Sequence, residues 1–196
     1  MSGAPATVSS RRKAVFLDRD GVLIRAIVRE GRPYSARTIV EAELLPGVRE
    51  ACAALRQVGA LLIVVTNQPD VARGDLDAKV LESLHDWLRE QVELDDIRMC
   101  THDDGDACAC RKPKPGMITT AARDFGIDMR ASVMVGDRWR DVQAGREAGC
   151  WTVFVDRGYH EQLPSDPDLV VNEFPEAVPW IVNLWKVRGS NDARNN

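Results

Sequence analysis

Six short apolar runs, at residues 14–17, 61–65, 97–100, 132–135, 151–155 and 168–171, constrain the fold of this chain more than any other feature of its sequence. They are rich in Val, Ile and Leu, and they are apolar almost without interruption instead of alternating with polar residues. Strands of that kind are buried on both faces, as in a parallel sheet. The intervals between them carry the period of amphipathic helices. Apolar residues recur at three and four along residues 48–58. Leu76, Val80, Leu84, Trp87, Leu88 and Val92 form one stripe within residues 75–94, with Asp75 as its N-cap after Gly74. Pro115 opens a helix over 116–125 that Gly126 ends, and two more helices cover 140–148 and 174–185. Alternating strands and helices predict an α/β fold, a doubly wound, Rossmann-like parallel sheet with right-handed crossovers.

With 196 residues, 44% of them hydrophobic, the chain is long enough to bury one substantial core. A single domain is expected over residues 13–187, between flexible ends at 1–12 and 188–196. The net charge of −4 gives no support to nucleic-acid binding, and no apolar run approaches the roughly 20 residues that span a bilayer. Arg11-Arg12-Lys13 precedes only four apolar residues before Asp18, too few for the roughly 7–15 of an export signal. A cytoplasmic monomer is therefore expected. Residues 25–46 are too long for a simple connection. They contain a possible hairpin turning at Glu30-Gly31 and read as a lid or specificity loop, with no large cap domain.

Ligands of such folds sit at the carboxyl ends of the strands. There the chain places Asp18-Arg19-Asp20-Gly21, then Thr66-Asn67-Gln68, then Gly136-Asp137. Residues i and i+2 of an extended segment point the same way, so Asp18 and Asp20 share a side, and Asp137 from another strand would make a third carboxylate. Three carboxylates in one pocket repel one another and call for a cation; an all-oxygen site suits Mg²⁺. Asp141 has two readings, one near the metal and one as an acid in a helix first turn, and it stays outside the metal set.

Three of the five cysteines fall within eleven residues, in Cys100-Thr101-His102 and Cys108-Ala109-Cys110. These thiols and His102 can wrap a tetrahedral Cys₃His Zn²⁺ site over residues 100–110, structural because protein ligands fill every position. Cys52 and Cys150 read as inert buried thiols.

The ordered set Asp18-x-Asp20-Gly21-Val22, Thr66-Asn67-Gln68, a later lysine and Gly136-Asp137-x-x-x-Asp141 resembles the haloacid dehalogenase-like phosphohydrolases from Lys13 to about Val155. The resemblance implies Asp18 as nucleophile, forming an aspartyl-phosphate, and Asp20 as acid and then base. It implies Mg²⁺ on Asp18, the Asp20 carbonyl and Asp137, and Thr66 and Lys112 on the phosphoryl oxygens. Arg19 and Asn67 are further expected contacts to substrate. Cys100-x-His102…Cys108-x-Cys110-Arg111-Lys112-Pro113 is similar to the zinc-containing branch of heptose-bisphosphate and histidinol-phosphate phosphatases, in which Arg111 recognises substrate.

Thr66-Asn67-Gln68 with Val71-Ala72-Arg73-Gly74, and Lys114-Pro115-Gly116-Met117, resemble the heptose enzymes. The short loop between His102 and Cys108 is more like the histidinol enzymes. Arg138 stands where the heptose enzymes commonly carry Lys, and Pro69 where they carry Ser; Arg138 offers a fork for a second phosphate. The expected substrate is thus a small phosphorylated metabolite, with a heptose bisphosphate cleaved at its 7-phosphate ahead of histidinol phosphate or another sugar phosphate. A non-catalytic phospho-acceptor domain would lack the acid/base that Asp20 supplies.

Overall fold

The computed structural model describes residues 12–192. The chain runs β1 (Ala14–Leu17), β2 (Ile27–Arg29), β3 (Arg32–Tyr34), α1 (Val48–Gln57), β4 (Leu61–Asn67), α2 (Ala78–Gln91) and β5 (Asp96–Cys100). It continues through α3 (Gly116–Phe125), β6 (Val133–Gly136), α4 (Trp139–Ala148), β7 (Trp151–Val155), β8 (Leu169–Val171) and α5 (Phe174–Asp192). Six strands form one sheet in the order β5-β4-β1-β6-β7-β8, and every neighbouring pair is parallel.

Successive side chains of β1 leave opposite faces and are buried on both, which is why the run is apolar throughout. Val15 and Leu17 enter a core with Leu55 of α1, Leu88 of α2 and Ile181 of α5. Ala14 and Phe16 enter a second core with Met117, Ile118 and Ala121 of α3 and Ala144 of α4. Helices therefore cover both faces, and the central strand β1 delivers Asp18 to the carboxyl edge between β4 and β6.

Apart from shifts of one residue, the element boundaries depart from the sequence pattern as follows. β4 continues past Val65 because Thr66 and Asn67 pair with Met99 and Cys100 of β5. The N-cap of α2 is Asp77, whose side chain accepts from the Lys79 amide at 2.7 Å, not Asp75. The amides of Asp75 and Leu76 both bond to the Asp70 carbonyl, at 2.8 and 3.1 Å, closing a turn before the helix begins. α5 runs to Asp192, beyond Trp185. Arg12, assigned to the flexible N-terminal segment, forms a parallel bridge with Ile127. Residues 1–11 and 193–196, where flexible ends were expected, lie outside the described residues.

The excursion between β1 and α1 holds the antiparallel hairpin of β2 and β3. Its turn residues Glu30 and Gly31 have φ of 52° and 76°, the left-handed pair that a two-residue hairpin turn requires. The Arg25 amide bonds the Glu43 carbonyl and the Leu45 amide the Leu23 carbonyl, both at 2.9 Å, so the excursion is stitched shut at its base. Beyond the hairpin it has one 3-10 turn, Ile39–Glu41, and is no cap domain. No described helix is long and apolar enough to cross a membrane.

Phe16 is fully buried at the centre of the sheet. Phe16→Ala is expected to cost about 3–5 kcal/mol, the usual range for emptying such a site, read as a lower urea midpoint at unchanged m-value.

Candidate active site

Asp18 follows directly on β1, and its amide continues the ladder to the Val135 carbonyl of β6 at 2.9 Å. Lys112, arriving from the segment before α3, is almost wholly buried beside it. Its Nζ lies 2.6 Å from Asp18 Oδ1, 2.6 Å from Asp141 Oδ1 and 2.7 Å from the Val65 carbonyl. Asp141 stands in the first turn of α4, one of its two sequence readings, and also pairs with the buried lysine. Its Oδ2 accepts the Arg138 amide at 2.9 Å at the start of α4, while Oδ1 holds the lysine. Asp18, Asp137 and Asp141 each offer an oxygen, and these lie within 4.8 Å of one another.

Two glycines make this crowding possible. A Cβ on Gly21, whose φ is +86°, would fall 1.8 Å from Asp137 Oδ2; one on Gly136 would fall 2.0 Å from the Asp141 Cβ. No side chain fits at either position.

One ammonium against three buried carboxylates leaves an excess of negative charge. Burial, partly countered by Lys112, pushes Asp18 up to about 6. Burial and then the charges of Asp18 and Asp141 hold Asp137 well above the usual carboxylate range. Burial alone would lower Lys112, but Asp141 and Asp18 outweigh it and raise it. The Tyr159 hydroxyl faces Asp137 without forming a well-aligned hydrogen bond, and both Asp137 oxygens are buried and unpartnered. Unpartnered carboxylate oxygens beside a second and third carboxylate are the donor set of a hard divalent cation, and the residues fit Mg²⁺.

Asp20 lines the same pocket, and its Oδ2 accepts from Ser35 Oγ at 2.9 Å and Gln68 Nε2 at 3.1 Å. Gln68 Nε2 also bonds Thr66 Oγ1 at 2.8 Å, tying the end of β4 to the acid. Asn67, expected at the substrate, lines both this pocket and the wider one beside it, and its amide also clamps Lys112: Nδ2 donates to the Lys112 carbonyl and Oδ1 accepts the Lys112 amide, both at 3.0 Å. Arg19, also expected at the substrate, is fully buried and does not line the pocket.

Outside the carboxylates lies a wider pocket of about 250 Å³, lined by Arg32, Arg73, Arg111, Arg138 and Arg140 among others. Arg111 Nε bonds Asp104 Oδ1 at 2.7 Å, and the Arg138 fork closes on Glu161 at 2.8 and 2.5 Å. Arg140 shares Asp104 at 3.2 Å, while its Nε is buried without a partner. The sequence reading gave no role to Arg140, Ser35, Gln68 or Tyr159. Gln68 stood in the Thr66-Asn67-Gln68 segment and Arg140 between Asp137 and Asp141, whereas Ser35 had only its place in the 25–46 loop and Tyr159 no signal at all.

The cysteine cluster is assembled beside this pocket. Cys100 Sγ lies 3.2 Å from Cys110 Sγ, 3.7 Å from Cys108 Sγ and 3.5 Å from His102 Nδ1, and Cys110 Sγ lies 3.3 Å from His102 Nδ1. Ligands bound to zinc at about 2.0–2.3 Å in a tetrahedron are separated by about 3.5–3.8 Å, so the four atoms have the spacing of one small metal site. Cys52 and Cys150 are buried, and burial pushes both thiols up to about 12, out of the reactive range.

His85 of α2 is buried behind the pocket. Burial, then the charges of Arg19 and Arg89, push it down to about 4 against the nearby carboxylates of Asp20 and Asp86. A depressed folded-state value means that the unfolded chain takes up the proton first. Stability is therefore expected to fall as pH drops from about 6.5 to about 4, by about 3 kcal/mol at the lower end. His85→Gln should be flatter over that window, read by urea titration of both proteins at pH 7 and pH 4.5.

Comparison with known proteins agrees with this geometry. A family model described as "HAD-hyrolase-like" matches residues 109–177. The chain is 40% identical over 152 residues to the D-glycero-beta-D-manno-heptose-1,7-bisphosphate 7-phosphatase of Pseudomonas aeruginosa, covering 75% of this chain and 83% of that protein. It is 40% identical over 158 residues to the enzyme of the same name from Vibrio cholerae, covering 74% and 82%. Among solved structures it is similar to the D,D-heptose 1.7-bisphosphate phosphatase of B. bronchiseptica complexed with magnesium and phosphate. The TM-score is 0.75 at 32% identity, over 87% of this chain and 98% of that one. The carboxyl-edge carboxylates, the buried lysine and the relatives at this identity lead to one conclusion: the chain is a phosphatase of the HAD-like hydrolases and belongs to the family of D-glycero-D-manno-heptose-1,7-bisphosphate 7-phosphatases.

Proposed function

We propose that this phosphatase removes the 7-phosphate of D-glycero-D-manno-heptose 1,7-bisphosphate through an aspartyl-phosphate on Asp18. The observation that carries this reading is the buried Asp18–Lys112–Asp141 array next to an arginine-lined pocket able to take a second phosphate. Lys112 occupies Oδ1 of Asp18, leaving Oδ2 for in-line attack on phosphorus. As that P–O bond forms, the bond to the sugar oxygen breaks, and that oxygen takes the proton of Asp20. Asp20 then accepts a proton from water, whose oxygen attacks the phosphorus of the aspartyl-phosphate and frees Asp18 and inorganic phosphate. Lys112 and the Thr66 hydroxyl hold phosphoryl oxygens during both transfers. Asp18, the main-chain carbonyl of Asp20 and Asp137 would hold Mg²⁺, and Asp141 is close enough to join them. When bound, the ion neutralises charge on the phosphoryl group and the carboxylates.

Specificity on this reading belongs to the wider pocket. Arg111 and Arg138 are each already tied to a carboxylate, so they offer a second phosphate their remaining N–H groups, and Arg140 lines the same pocket. Histidinol phosphate remains the second reading, because the loop from His102 to Cys108 has the shorter length of those enzymes. Cys100, His102, Cys108 and Cys110 would bind one structural Zn²⁺ and so fix the approach of Arg111 and Lys112. All the groups invoked come from one chain, within residues 13–187 as a single catalytic domain, which suits a monomer. A cluster of thiol ligands suits the reducing cytoplasm.

Phosphate release with Mg²⁺ should be fastest for a heptose bisphosphate anomer. Faster release from histidinol phosphate would overturn the substrate and leave the chemistry standing. Asp18→Asn should abolish turnover in a protein with a native melting curve, whereas retained activity would remove the nucleophile. Elemental analysis should find one zinc per chain, and stripping it should lower the melting temperature; Cys110→Ser should lose both the metal and the added stability.

A further inference from the structure

The chemistry proposed above makes no use of Arg19, yet Arg19 is the largest fully buried side chain among the described residues. A guanidinium taken out of water needs partners on each edge. Two edges go to the acid: Nε lies 3.1 Å from Asp20 Oδ2, and Nη2 lies 3.3 Å from Oδ1 and 3.0 Å from Oδ2. The third goes across to α2, where Nη1 lies 3.2 Å from His85 Nε2. Arginine does not give up its proton, so the direction of this bond is fixed, with the guanidinium donating and the imidazole nitrogen accepting. The neutral state this requires is the one that burial of His85 favours.

We propose that His85 is a positioning residue for catalysis: by accepting the Arg19 N–H it holds the guanidinium fork on Asp20 and keeps the acid/base carboxyl aimed at the leaving oxygen. Ser35 and Gln68 also bond Asp20, but both reach only Oδ2. Among the described residues Arg19 alone binds both oxygens and so sets the plane of the carboxyl group. Its fork is in turn set by the acceptor on Nη1, on a helix that contributes nothing to the pocket lining. A short side chain 66 residues away in sequence thus orients the proton donor without touching substrate.

The inference rests on Asp20 being the acid of the proposed reaction, and the test separates the two. kcat/KM, which reports the step that breaks the ester bond, is measured for an alkyl phosphate, the heptose bisphosphate, and for p-nitrophenyl phosphate, whose leaving group needs no proton. Asp20→Asn is the reference and should lose the alkyl ester selectively. His85→Leu should lose about tenfold or more on the alkyl ester, a fraction of the 10²–10⁴ that general acid catalysis supplies, and about threefold or less on the aryl ester. His85→Gln, which keeps an acceptor at similar reach, should restore the alkyl-to-aryl ratio to near wild type. Arg19→Lys keeps the charge without the fork and should repeat the selective loss, so the inference is tested even where the Leu variant folds poorly. Equal losses on both esters, or no loss, in natively melting His85→Leu and Arg19→Lys proteins reduce His85 to a core residue and overturn the inference. An Asp20→Asn protein without selective loss overturns the role of Asp20, and the positioning role falls with it.

Discussion

The buried ammonium of Lys112 is the one group that lets carboxylates from different strands approach one another at the carboxyl edge of the sheet. Asp18 comes from the end of β1, Asp137 from the end of β6 and Asp141 from the first turn of α4, and without a cation among them their mutual repulsion in a desolvated site would push the strand ends apart. Lys112 answers two of the three charges directly. Asp137 is left with both oxygens unpartnered, so the polypeptide balances part of the charge and leaves the rest to a metal. Much of the nearby architecture serves this arrangement. Gly21 and Gly136 leave out the Cβ atoms that would collide with Asp137 and Asp141, and Asn67 clamps the main chain of Lys112 from both sides.

Around that charge cluster the chain arranges two loops of different construction. The 25–46 excursion is stitched at its base by main-chain bonds and closes through a tight hairpin, so it delivers Ser35 to Asp20 from a fixed anchor. The cysteine loop has little regular structure, and its four ligand atoms converge to the spacing of a single ion. Asp104 on that loop binds Arg111 and Arg140 together. The geometry of the arginine pocket is therefore coupled to how the cysteine loop is folded.

The six strands and their parallel arrangement were readable because burial on both faces demands unbroken apolar runs, and that demand is local. The same holds for the zinc-type cluster, whose members fall within eleven residues, while the carboxylates, far apart in sequence, were legible because each follows an apolar run at the carboxyl end of a strand. Boundaries were less readable where long-range pairing decides them. The apolar run stops at Val65, and pairing with β5 carries the strand on through the polar Thr66 and Asn67. Asp75 was read as the cap of α2; the turn closed on the Asp70 carbonyl takes its amide and leaves Asp77 to cap the helix.

Side-chain partnerships across the fold were not readable at all. Arg19 and Asn67 stand beside catalytic residues and so looked like substrate contacts. The structure buries the first against Asp20 and His85, away from the pocket, while the second lines the pocket and also clamps Lys112. Asp141 could be weighed only as a helix-start acid or a metal neighbour until Lys112 was placed 2.6 Å away. The sequence by itself determined the α/β architecture, the strand-end positions of Asp18, Asp20 and Asp137 and the four candidate zinc ligands, because apolar runs, the residues that end them and the cysteine spacing are all local features of the chain. The tertiary structure decided which charges are paired, which are left for a metal and which hold others in place, because these depend on distances between atoms that the chain order does not encode.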